Sequence, residues 1–255
     1  SVTAIVLSLV PSLDAQPNPV HEFLTKAIQL SPAQIAAIER GEVVTRQLAS
    51  ADKPEMAAFG AVMVQADQAT FLARFRNLAD FRRVPSVLEI GRLSVPPRVS
   101  DLAALTAEDG DLDALRKCRP GSCDVKLARS AMERLGREMN WSAPDAKERA
   151  STLLRQMLVD YASAYMKGGT PEMATYQDKE KALDTATEFR KVLAASPYLF
   201  EYAPEFHGYV LDYPRGRLEG AEDLFYWAKD KFGPKPTVAL YHVTLWKGAD
   251  RAVIA

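Results

Sequence analysis

Apolar and polar positions follow two rhythms along this chain, one helical and one alternating. Ser31-Pro32-Ala33-Gln34 places a hydroxyl, a proline and a glutamine at capping-box spacing. It predicts a helix through Ile35 and Ile38 that Gly41 ends, after a shorter helix over 22–29. Residues 42–49 (EVVTRQLA) and 56–65 (MAAFGAVMVQ) read as a strand hairpin around a turn at 50–54. Asp67 then caps a helix on which Phe71, Phe75, Leu78 and Ala79 share a face, and Pro85 stops it. Residues 87–95 (VLEIGRLSV) alternate as a further strand, closed by Pro96-Pro97.

Helical spacing dominates the middle, with helices predicted over 112–117, 127–139, 142–167, 181–194 and 204–212. The longest carries Leu153, Leu154, Met157, Leu158, Tyr161 and Tyr165 as a stripe, and Gly168-Gly169 ends it. Strands return at 224–229 (LFYWAK), 237–246 (TVALYHVTLW) and 251–254, with turns at 233–236 and 248–250. In the second of these, Tyr241, Val243 and Leu245 share one face, while Leu240, His242, Thr244 and Trp246 share the other. A strand apolar on both faces has a core on one side and a second apolar layer on the other. That layer is either a ligand cavity or packing beneath helices. Strands at both ends with helices between them predict an α+β fold. We expect a single domain over 16–255, with a helical insertion at about 100–215. Two domains divided near 100 or 143 are the alternative.

Composition narrows this picture. The 255 residues suffice for a core without disulfides. Acidic and basic residues nearly cancel, 33 against 32, so no net field favours nucleic acid. No apolar run approaches the ~20 residues of a membrane helix. Ala4–Val10 is a short apolar run, broken by Pro11 and Ser12 and followed by Leu13-Asp14-Ala15 before Gln16. It reads as the remnant of a secretory signal peptide over 1–15, with a buried strand over 2–10 as the alternative. The last residues, ADRAVIA, stop within an apolar run, so a chain truncated at both ends is expected.

The two cysteines, Cys118 and Cys123, flank Pro120-Gly121. In a secreted or periplasmic protein such a pair reads as a local disulfide closing a turn. Free thiols and a metal or redox site are the alternatives, but zinc would need two more ligands and redox pairs favour closer spacing. His21, His207 and His242 are far apart, and no metal or cofactor is expected. Asp109, Asp111 and Asp113 open like a calcium loop, but Ala114 and Pro120 stand where it needs Gly and Glu.

Three further features carry candidate chemistry. All nine tyrosines follow residue 160, four of them within YLFEYAPEFHGYVLDY. There His207 lies near Glu201 and Glu205, which would suit an acid/base pair in a hydrolase or lyase, or merely a half-exposed aromatic helix. No nucleophile elbow, zinc-protease or phosphate-loop motif accompanies them. Arg74, Arg76, Arg82 and Arg83 cluster near three phenylalanines, as in a helix touching an anionic membrane, or simply as a solvated face. Phe71, Phe75, Trp227, Tyr241 and Trp246 are the candidate lining of a ligand site.

The order of elements over 42–95 and 222–254 resembles the START-like, helix-grip superfamily. The resemblance covers the hairpin EVVTRQLA / MAAFGAVMV, the helix DQATFLARFRNLADF, the strand VLEIGRL and the late strands LFYWAK and TVALYHVTLW. It implies a curved antiparallel sheet around a hydrophobic tunnel, and a lipid-like or sterol-like ligand. A secreted or periplasmic binding protein for a hydrophobic small molecule is the first expectation. A secreted hydrolase or lyase and an envelope interaction protein without a small ligand are the others.

Overall fold

The structure, a computed structural model, describes residues 19–50, 56–232, 235–248 and 252–254. The expected leader at 1–15 and the centres of three predicted turns lie outside the described residues. The fold is α+β, with open antiparallel sheets. The described residues fall into two compact units, one within Ser1–Phe81 and Thr244–Ala255, the other within Arg82–Val243.

In the first unit, α1 (Pro19–Glu22) runs directly into a π-helical turn, Phe23–Ala27. The capping box forms as its spacing dictates: Gln34 N–H donates to Ser31 Oγ at 3.3 Å, and Ser31 N–H donates to Gln34 Oε1 at 2.9 Å. It opens α2 (Pro32–Glu39), which buries Ile35 and Ile38. The hairpin is β1 (Val44–Leu48) against β2 (Ala57–Ala61), in register from Val44 opposite Ala61 to Leu48 opposite Ala57. These two strands pair only with each other among the described strands, where the START-like resemblance implies one curved sheet. Asp67 Oδ1 accepts from Thr70 N–H at 2.8 Å and caps α3 (Gln68–Arg76). The predicted helix breaks at Asn77, and a short α4 (Leu78–Phe81) follows. The break changes which residues face inward: Leu72 and Leu78 are buried, while Phe71 and Phe75 are only half-buried.

The second unit is built on β3 (Val87–Arg92), β6 (Ala221–Phe232) and β7 (Lys235–Lys247), adjacent in that order. Gly91 stands opposite Trp227 and Arg92 opposite Tyr226. The last residues of β7 continue into the first unit, where Leu245–Lys247 pair with β8 (Ala252–Ile254). Six helices lie between β3 and β6: α5 (Asp109–Lys117), α6 (Arg129–Glu138), α7 (Ala146–Gly168), α8 (Thr185–Ala194), α9 (Pro197–Tyr202) and α10 (Pro204–Asp212). The two-residue strands β4 (Thr175–Tyr176) and β5 (Leu183–Asp184) interrupt them. Residues 181–184 therefore leave the helix predicted over 181–194, because the Asp184 side chain caps it, accepting from Ala186 and Thr187 N–H.

The core of this unit joins β6 to α7. Trp227 is 1 % exposed, and its indole N–H donates to Asp101 O at 2.8 Å. Around it lie Leu93, Leu102, Leu105, Val159, Ala162, Tyr213 and Phe225. A Cβ on Gly91 would fall on the indole, so only glycine lets β3 and this ring meet. Cys118 and Cys123 form a disulfide with Cα atoms 4.4 Å apart, both buried against Met132. The turn they close is held by a later segment of the same chain, since Gly121 N–H donates to Gln177 O and Cys123 N–H to Asp178 O.

Candidate functional site

Alternation puts Asp223, Phe225 and Trp227 on one face of β6, and Leu240 and His242 on the same side of β7. Helix α7 covers this face and brings Tyr165 to it. The result is a continuous polar chain within an aromatic core. Tyr165 Oη lies 2.9 Å from His242 Nδ1, and His242 Nε2 lies 2.9 Å from Asp223 Oδ1. Tyr209 Oη donates to the other carboxylate oxygen, Asp223 Oδ2, at 2.5 Å.

Two rings pack against the imidazole, one over its face and one beside it. Phe225 stacks on it at 4.5 Å and 18°, and the Tyr213 ring lies 4.4 Å away. Tyr213 also stacks on Tyr165, with ring centroids 5.6 Å apart. The cluster still reaches the surface: the side chains of His242 and Asp223 are 15 % and 21 % exposed.

Charge and burial set the proton positions. An ionised carboxylate only accepts, so His242 Nε2 carries the hydrogen that faces Asp223. Its Nδ1 lone pair then accepts from the Tyr165 hydroxyl. Burial pushes the Tyr165 hydroxyl well above the usual phenol range, and the acidic neighbours Tyr213, Tyr161 and Asp223 add to it. Burial and then the Asp223 hydrogen bond do the same for Tyr209. Burial and the Asp223 charge push Tyr213 up to about 12. The arrangement can hold a proton on Tyr165 and accept it at His242.

The opposite face of the sheet carries a second cluster. Tyr226 and Tyr241 stack at 4.6 Å and 4°. The Arg82 guanidinium lies 4.9 Å from the centre of the Tyr241 ring and pairs with Asp230 at 3.3 Å. Tyr241 Oη donates to Asp230 Oδ2 at 2.6 Å. Arg82 is thus committed to this cluster rather than to a solvated basic face.

The other sequence candidates fall in separate places. Phe71, Phe75 and Trp246 belong to one unit, Trp227 and Tyr241 to the other. Trp227 is a core residue with its N–H satisfied. Trp246 is half-buried on β7. Glu201 and Glu205 are exposed, and the half-buried His207 meets the Phe200 ring edge-on at 5.5 Å. Neither carboxylate hydrogen-bonds His207 among the described residues. Among the described residues, the histidine joined to a carboxylate is His242, which alternation places only on a strand face. Its signal was present: His242 and Asp223 are polar residues in phase with the inward aromatics of their strands.

On α3 and α4, Phe71, Phe75 and Phe81 form an aromatic cluster, with Phe75 and Phe81 at 4.6 Å. Phe81 is 46 % exposed. Beside it opens a groove of about 590 Å³ lined by Thr70, Ala73, Arg74, Asn77, Asp80 and Phe81. Arg74 and Arg76 are exposed on the same helix.

Among the described residues, no group of three or more His, Cys, Asp and Glu side chains is placed to hold a metal ion. No described helix is long and apolar enough to cross a membrane. Comparison with protein-family models, with curated proteins and with solved structures finds no match to this chain.

Proposed function

We propose that this chain binds a lipid-like amphiphile with an anionic head group at the α3–α4 face. The observation that carries this reading is the aromatic cluster Phe71–Phe75–Phe81, half-buried except for the exposed Phe81, beside a groove that also presents Arg74. Covering the exposed part of the Phe81 ring with an acyl chain would contribute about 1 kcal/mol to binding. An acyl chain would cover the rings, and the Arg74 guanidinium would meet the head group. The START-like resemblance implies a tunnel for such a ligand. The proposed site is instead this open face, so Trp227, Tyr241 and Trp246 leave the expected lining and Arg82 leaves the expected membrane contact. The disulfide favours an oxidising compartment, secreted or periplasmic.

Titration with a lysophosphatidylglycerol below its micelle-forming concentration, and with phosphatidylglycerol vesicles, tests the proposal. Saturable binding of the free lipid identifies a small-molecule site. Binding to vesicles alone identifies a membrane surface. Phe81→Ala should weaken either by about tenfold or more without loss of fold, and Arg74→Glu should remove the preference over phosphatidylcholine. Absence of binding in both arms would remove the proposal.

A further inference from the structure

The Tyr165–His242–Asp223 chain has the order of a nucleophile, its base and the base's orienting carboxylate. We propose that it is an esterase-type catalytic centre in which Tyr165 is the nucleophile, independent of the amphiphile site. Three features support this. The two hydrogen bonds, each 2.9 Å, leave both imidazole nitrogens engaged in opposite directions. The Phe225 and Tyr213 rings both pack against the imidazole, and Tyr209 donates to the second carboxylate oxygen of Asp223, which bonds in two directions at once. The hydroxyl at Tyr165 is held protonated by its surroundings, like the serine of a hydrolytic triad, and needs a base at the moment of attack. Asp223 places its negative charge near all three phenols, which disfavours phosphate esters and leaves a neutral carboxylic ester as the substrate class.

The step balances. Tyr165 Oη bonds to the acyl carbon while its proton passes to His242 Nδ1, and Asp223 stabilises the imidazolium. The bond from the acyl carbon to the alkoxy or aryloxy group breaks, and His242 returns the proton to that leaving group. Water then attacks the tyrosyl ester, giving one proton to His242, which passes it to Tyr165 Oη as the carboxylic acid departs.

The test uses p-nitrophenyl acetate with the purified chain, followed by peptide mass mapping after an acid quench. The expected result is an acetyl group on Tyr165 and hydrolysis that falls about 100-fold in Tyr165→Phe and in His242→Gln. Asp223→Asn should also lower the rate and shift its pH profile, which a merely structural carboxylate would not do. Mapping on the unmutated chain stands even if a variant fails to fold. Acetylation confined to lysines with Tyr165 unmodified would overturn the proposal. So would full activity in folded Tyr165→Phe, or a loss that follows His207→Gln instead.

Discussion

At the residue scale, Asp101 shows how one residue, through its side chain and its main chain, ties Ser94, Arg98 and Trp227 together. Its carboxylate accepts from Ser94 N–H at 2.9 Å, Ser94 Oγ–H at 2.7 Å and Arg98 N–H at 2.9 Å. Its main-chain oxygen accepts from the Trp227 indole. Burial opposes its charge, but the hydrogen bonds from Ser94 and Arg98 outweigh that and hold its carboxyl below the ordinary value. A carboxyl lowered on folding stabilises the protein above its unfolded pKa near 4, and the contribution is lost as pH falls through the folded value. Asp101→Ala should therefore cost about 2 kcal/mol at neutral pH, and the difference from the unmutated chain should shrink below pH 4 in urea melts. A pH-independent difference would show that the carboxylate charge plays no part. Lys229 also depends on distant partners: it is 4 % exposed, and its Nζ donates to Glu108 Oε1 at 2.7 Å. The sequence marks Asp101 and Lys229 only as polar residues, because their partners are set by the folded backbone.

At the element scale, the end of α7 decides where Tyr165 stands. Gly169 takes φ +70°, and its N–H donates to Tyr165 O at 2.7 Å. A Cβ there would collide with the Tyr213 carbonyl, so the glycine permits both the backbone angle and the approach of Tyr213. Gly169→Ala should destabilise the fold by about 2–4 kcal/mol, measured by denaturant titration, and lower ester turnover in whatever folded fraction remains. A neutral effect would mean that the helix end can shift without moving the network. The glycine stop was legible in the sequence, as were the Ser31 capping box and the Asp67 cap, because each acts within a few residues. The break at Asn77 and the short β4–β5 ladder were not. They depend on what the segments pack against, which periodicity does not encode.

At the scale of the molecule, the buried phenols should govern behaviour in alkali. Tyr165, Tyr209 and Tyr213 all have raised pKa values, with burial the first cause in each. A phenol raised on folding contributes stability below its unfolded pKa near 10, and the contribution is lost as pH rises through the folded value. Tyrosinate absorbance of the nine tyrosines should therefore rise in at least two waves. The later wave should coincide with loss of circular dichroism. A single wave near pH 10 in a chain that stays folded would contradict the buried network. The α+β class and the strand faces followed from the sequence by itself, since period and capping are local properties. The catalytic grouping was decided only by tertiary structure. Tyr165 and His242 lie 77 residues apart, and alternation shows on which side of a strand a residue lies but not which helix covers that side. The same reason separates Trp227 from Phe71 and Phe75: all are apolar in phase with their elements, but packing buried the first and left the others half-buried.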